Sequence, residues 1–340
     1  MKRIIICSDG TWNSPDDEQP TNILRLSRAI APIGSDDTRQ VVFYDWGVGT
    51  DRKKHTGGIT GAGIDKNIVD CYRFIVHNYD PGDELFFFGF SRGAYTVRSL
   101  GGFIRNCGIL KREHADRIPR SFDHYRARSP SSHPDNPRSK KERARYAVAD
   151  RTTIAFVGVL DTVGRLGIPI TFWGLLNNDK YLFHDTSPSS IITAARHALA
   201  IDENREDFQP VPWDEKPGID LKQVWFAGAH SDVGGGYRDD HHLADISCQW
   251  LLKEAGSKGL AVEPHLPDRL RPRPTARQHD PRKGIFKLRA KQYRKIHDNA
   301  LIHFSVKERV ERLKSRYKSP ALRSFLKRHG NSWSQVLIES

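Results

Sequence analysis

Ser91 lies in Gly89-Phe90-Ser91-Arg92-Gly93, which spells G-x-S-x-G. A serine hydroxyl attacks a carbonyl only when a base takes its proton and a third group holds that base in one tautomer. The pentapeptide alone is a weak signal, so its surroundings carry the weight. Leu85 to Phe88 is an unbroken apolar run, as a strand buried on both faces requires. Ala94, Val97, Leu100, Phe103 and Ile104 follow at helical spacing. A serine between such a strand and such a helix sits on a tight turn that pushes Oγ outward, and Gly89 and Gly93 let neighbouring backbone pass closely. Its partners should follow in the order acid, then histidine, each at the carboxyl end of a strand. Asp161 ends the run Thr152 to Leu160, and His230 follows Val224 to Ala227 in a glycine-rich loop. Asp9, Asp45 and Asp232 compete for the acid's role, and a turn cap is the plainer use of Asp161. An oxyanion needs two backbone N–H donors: Arg92 supplies one, and Gly10-Thr11 is the natural source of the second.

The elements that must position these residues alternate. Arg3 to Ser8 reads as a strand, Asn22 to Ala31 as a helix capped by Thr21, Gln40 to Trp46 as a strand and Ile64 to Tyr79 as an amphipathic helix. This order predicts an α/β fold, a mainly parallel sheet with helices on both faces. Residues 111–151 turn Arg-, Ser- and Pro-rich and read as a surface insertion, part of it mobile. Leu166 to Phe183 is apolar without clear period and reads as a lid or pocket lining, with Phe172, Trp173, Leu176 and Phe183 as substrate-pocket candidates. Pro188 to Ile201 reads as a helix carrying His197, and Leu243 to Ala255 as another. The hydrolase-like domain is expected over 1–256. A basic, largely helical C-terminal extension is expected over 257–340, with helices around Val306 to Arg316 and Pro320 to Arg328.

The chain has 340 residues and a formal net charge of +13. His265 to Gly330 accounts for essentially all of that excess, which suits an anionic membrane surface, nucleic acid or a merely solvated basic face. No apolar run approaches the roughly 18 residues of a membrane span. Met1 to Ile6 reads as a first strand, not a Sec signal peptide, because Asp9 cuts the apolar run short, so the chain is expected in the cytoplasm as synthesised. Cys7, Cys71, Cys107 and Cys248 are scattered and read as reduced thiols. No metal is expected at Asp239, Asp240, His241, His242 and Asp245, since adjacent histidines point apart on a helix. The glycines between Gly47 and Gly63 match no phosphate-binding pattern, so no cofactor is expected either.

SDGTWN at Ser8 to Asn13, GFSRGAYTVRSL at Gly89 to Leu100, GVLDTVGRLGIP at Gly158 to Pro169, HALAIDENR at His197 to Arg205 and AGAHSDVGGGY at Ala227 to Tyr237 stand in one order. Together they resemble the α/β-hydrolase family labelled domain of unknown function 2235, which also forms the catalytic part of family-1 type VI secretion lipase effectors. The resemblance covers roughly Met1 to Gly256. It implies a Ser-Asp-His esterase, with phospholipase A activity in the effector branch, and Ser91, Asp161 and His230 at the matching positions. It also implies an ester or lipid substrate, type VI export without a Sec signal, and a secretion or immunity partner. This chain departs from the effectors in lacking their large membrane-binding module and in carrying its own basic insertion and extension. Ester hydrolysis is therefore the broader expectation and phospholipid the narrower one. Nucleic acid is not an expected partner of such an esterase. The competing reading is a hydrolase fold without turnover that binds anionic membrane or nucleic acid through its basic extension.

Overall fold

The computed structural model describes residues 1–10, 18–46, 61–127, 129–163, 186–282, 284–288 and 290–340. Eight parallel strands form one sheet: β1 (Lys2–Ser8), β2 (Arg39–Asp45), β3 (Glu84–Phe90), β4 (Ile154–Leu160), β5 (Ile192–Ala200), β6 (Asp220–Phe226), β7 (Leu301–His303) and β8 (Leu337–Glu339). Their order across the sheet is β2-β1-β3-β4-β5-β6-β7-β8. All carboxyl ends therefore share one edge, and the chain changes winding direction between β1 and β3, where open α/β sheets form their crevices.

Side chains alternate between the faces of a strand, and β3 shows why its apolar run is continuous. Leu85 and Phe87 enter the core on one face with α2 (Gly61–Asn78) and α3 (Arg92–Cys107). Phe86, Phe88 and Phe90 enter the core on the other face, where Phe88 meets Phe156 of β4 at 5.5 Å between ring centroids. That second face is covered by α1 (Asn22–Ala29), whose N-cap Thr21 accepts from the Leu24 N–H, and by a later helix over His242–Gly256. The four cysteines are free, and burial pushes the thiols of Cys7, Cys71, Cys107 and Cys248 upward. Among the described residues no helix is long and apolar enough to cross a membrane.

The insertion holds α4 (Ile118–Arg126) and α5 (Pro137–Tyr146). Buried Arg143 ties it down, donating to Asp150 at 2.9 Å, to the Asn106 carbonyl at 2.9 Å and to the Pro134 carbonyl at 2.7 Å. Pro188 to Ile201 is not a helix, because residues 192–200 are strand β5, paired in parallel with β4 and β6. Its alanines favour a helix in isolation, but a slot between two strands under helices on both faces overrides that preference. Finally, the C-terminal extension is not largely helical. It contributes β7 and β8 to the sheet, and its two α-helices, Phe304–Leu313 and Pro320–Arg328, pack a third core of Leu199, Trp225, Ile302, Val306 and Phe325.

Candidate active site

Ser91 lies between the last residue of β3 and the first of α3, with φ 56° and ψ −117°. Such a left-handed conformation costs a non-glycine residue about 1–3 kcal/mol and survives only where its surroundings enforce it. The enforcement is visible on both sides. The Ser91 N–H donates to the Leu160 carbonyl at 3.1 Å, and a Cβ on Gly93 would stand 2.0 Å from the Ser8 carbonyl oxygen, one on Gly89 2.5 Å from that of Gly93. Arg92 opens α3, so its N–H has no acceptor within the helix.

Asp161 follows β4, the strand next to β3, and also has positive φ, 44°. Its carboxylate is fully buried and fully occupied. Oδ1 accepts from the Ala200 N–H at 2.9 Å and from Arg294 Nη1 at 2.6 Å; Oδ2 accepts from Arg294 Nη2 at 2.9 Å and meets His230 Nδ1 at 2.6 Å. Burial would raise the pKa of Asp161, but the Arg294 charge and the bonds from His230 and Arg294 outweigh it and hold the group well below the usual carboxylate range. An ionised carboxylate can only accept. His230 Nδ1 therefore carries the proton, and the lone pair is left on Nε2.

His230 opens the short helix α6 (His230–Gly234), just after β6. Its N–H donates to Glu203 Oε2 at 3.2 Å. Glu203 is itself buried and held by both side-chain and main-chain N–H groups of Arg205. The imidazole lies 4.5 Å from the Phe90 ring and 5.1 Å from that of Phe208, between centroids. Burial lowers its pKa, and Asp161 opposes only part of that fall.

The strand-end order thus brings Asp161 and His230 into contact and sets Ser91 at the adjoining strand end. The Gly10 N–H, expected to face the oxyanion, donates to Asp9 Oδ1 at 2.7 Å, because the short aspartate side chain reaches its own following amide. Thr11, Phe172, Trp173, Leu176 and Phe183 lie outside the described residues. His197, expected on a helix, is buried on β5 and accepts from the Thr162 N–H at 3.1 Å, which braces the turn carrying Asp161. His241 and His242 do not point apart; their rings stack at 5.4 Å.

Arg294 and Glu203 are the residues that sequence reasoning missed. Glu203 lies in the block HALAIDENR without a role attached, and nothing marks Arg294 among the other cations of the basic extension. Its guanidinium also donates to the Ala200 carbonyl at 2.8 Å and the Phe208 carbonyl at 2.6 Å, which fixes it behind Asp161.

The parallel sheet, the strained serine at a strand-to-helix turn and the buried carboxylate–imidazole pair define an α/β-hydrolase. A family model described as "T6SS, Phospholipase effector Tle1-like, catalytic domain" matches residues 2–254, and the chain belongs to that family. It is similar to an uncharacterized protein of Saccharomyces cerevisiae, 26% identical over an alignment of 239 residues that covers 64% of this chain and 33% of that protein. The chain thus spans about a third of the length of that curated relative. Among solved structures it is similar to an uncharacterized protein from Pseudomonas aeruginosa, with TM-score 0.49, 17% identity and coverage of 80% of this chain and 47% of that one. It is also similar to the Tle1 effector bound to the VgrG spike of a type 6 secretion system, with TM-score 0.39, 18% identity and coverage of 70% and 51%.

Proposed function

We propose that the chain is a serine hydrolase of carboxylic esters, with glycerophospholipid as its substrate class. The observation that carries this reading is the 2.6 Å contact of Asp161 Oδ2 with His230 Nδ1, whose ring packs on Phe90, the residue before the strained Ser91. Ser91 Oγ attacks the ester carbonyl carbon while its proton passes to His230 Nε2. The tetrahedral oxyanion is met by the Arg92 N–H at the positive end of α3; Thr11 is the proposed second donor, since the Gly10 N–H is engaged by Asp9. Collapse expels the alcohol, which takes the proton from His230, and water then attacks the acyl-enzyme by the same route in reverse. Asp161 stays ionised throughout, because Arg294 backs it. Phe172, Trp173, Leu176 and Phe183 are proposed to receive the acyl chain.

Phospholipid is favoured because the family is described by its phospholipase effectors. On the same ground, type VI delivery with a secretion-system partner and a cognate immunity protein is proposed, and the basic extension is proposed to meet the anionic membrane surface. A fluorophosphonate probe and fatty-acid release from phosphatidylglycerol vesicles test the reading together. Labelling and release by wild type, both absent in Ser91→Ala, are the expected result. Equal labelling or release by Ser91→Ala would overturn it.

A further inference from the structure

Arg92 is as buried as its neighbours, at 6% exposure, yet its side chain is provided for differently. Arg3, Arg143, Arg196 and Arg294 are also buried, and each pairs with a carboxylate. Among the described residues nothing accepts from the Arg92 guanidinium, and its Nε is buried with no partner. Burial alone pushes its pKa down to about 9. Its place in the fold adds to the cost, because it opens the 16-residue helix α3, whose N-terminal end is already positive. A cation at that end, withdrawn from water and unpaired, is unfavourable on three counts, and an anion beside it relieves all three.

We propose that the Arg92 guanidinium receives the phosphate of the substrate, which makes the residue after the nucleophile the determinant of specificity for phosphate-bearing esters. The proposal rests on the ester-hydrolase reading of Ser91. A planar guanidinium fork matches two phosphate oxygens at once. In a glycerophospholipid only the glycerol backbone separates the phosphate from the ester carbonyl, so nucleophile and anion site belong on consecutive residues. Arg92 would then have two separate roles, its N–H toward the oxyanion and its side chain toward the head group.

Binding is measured first in a protein that cannot turn over. Ser91→Ala is titrated calorimetrically with glycerol 3-phosphate, inorganic phosphate and glycerol, alongside Ser91→Ala/Arg92→Met. Expected is binding of glycerol 3-phosphate that weakens at least tenfold without the guanidinium, and none of glycerol. Inorganic phosphate binding as tightly as glycerol 3-phosphate would overturn the head-group assignment. Binding that survives the loss of Arg92 would overturn the site itself. In active enzyme, Arg92→Met should raise KM for phosphatidylglycerol at least tenfold more than for a diacylglycerol of the same chains, with Arg92→Lys recovering part of the loss. Equal losses on both lipids would overturn the proposal. Unliganded Arg92→Met should melt at or above wild type, whereas a lower Tm would mean that the chain's own acceptors pair the guanidinium. If wild type hydrolyses no ester, the function reading falls while the titration still decides the Arg92 site.

Discussion

Asp161 with His230, and Asp232 with His279, are buried carboxylate–imidazole pairs of equal length, 2.6 Å, on neighbouring parts of the molecule. They differ in what stands beyond them. Behind Asp161 is a cation, Arg294, and beyond the His230 ring lies the elbow. Behind His279 is a second carboxylate: its Nε2 is 2.9 Å from Asp239 Oδ1, and Tyr237 stacks on its ring at 3.8 Å. For His279, burial would lower the pKa, but the bonds and charges of Asp232 and Asp239 outweigh it and raise it. For His230, burial prevails and lowers it. One arrangement leaves an imidazole neutral with a lone pair to use. The other sets both ring nitrogens against carboxylates, a strap that favours the charged form. That strap holds α6, since Asp232 lies two residues after His230 and also accepts from the Ala229 and His279 N–H groups.

The largest effect should come from breaking the first pair. His230→Ala, or Asp161→Asn with its wrong tautomer, is expected to lower kcat by about 10⁴-fold or more in single-turnover assays, whereas His279→Gln should stay within about one order of magnitude of wild type. Similar losses from both pairs would erase the distinction. Next is Arg294→Met, which leaves a buried carboxylate without its cation. We expect a cost of about 3–5 kcal/mol by urea unfolding. The same variant sharpens the comparison in pH. In wild type the acid limb of kcat/KM should inflect below 6.5, the ordinary histidine value. In Arg294→Met, the undivided Asp161 charge should move that limb upward, and an unmoved limb would deny Arg294 its electrostatic role.

The smallest effect distinguishes the pairs by sign. A raised folded pKa at His279 adds stability that is fully present below its unfolded value of 6.5 and is lost as pH rises through the folded value. His230 does the reverse: with its folded pKa depressed, the unfolded chain binds more protons as pH falls below 6.5, and stability falls with it. His279→Gln should therefore cost about 1–3 kcal/mol near pH 5.5, with the deficit shrinking toward pH 8.5. A deficit constant across that range would make His279 a packing residue only.

How much of this was legible follows from what each residue has to show in a single chain. β1, β3 and β4 announce themselves because strands buried on both faces need unbroken apolar runs. β5 hides in ITAARHALA, where small residues that fit between packed layers are also good helix formers. β7 and β8, three residues each, are too short to show a period. Asp161 and His230 could be found because strand ends are readable positions. The competing use of the Gly10 N–H could not, since it depends on how the Asp9 carboxylate folds back. Arg294 was illegible because nothing about an arginine among many says which carboxylate it will meet 133 residues away.

The position of Arg294 along the chain also ties the site to the order of synthesis. On a nascent polypeptide the elbow, Asp161 and His230 all emerge first, with the counter-charge of the buried carboxylate still to come. The match to the family ends at residue 254, so a chain stopped there carries every reacting group and none of the cation that backs Asp161. A single proteolytic cut followed by loss of the C-terminal piece would remove that cation in the same way, without altering one of the three reacting residues.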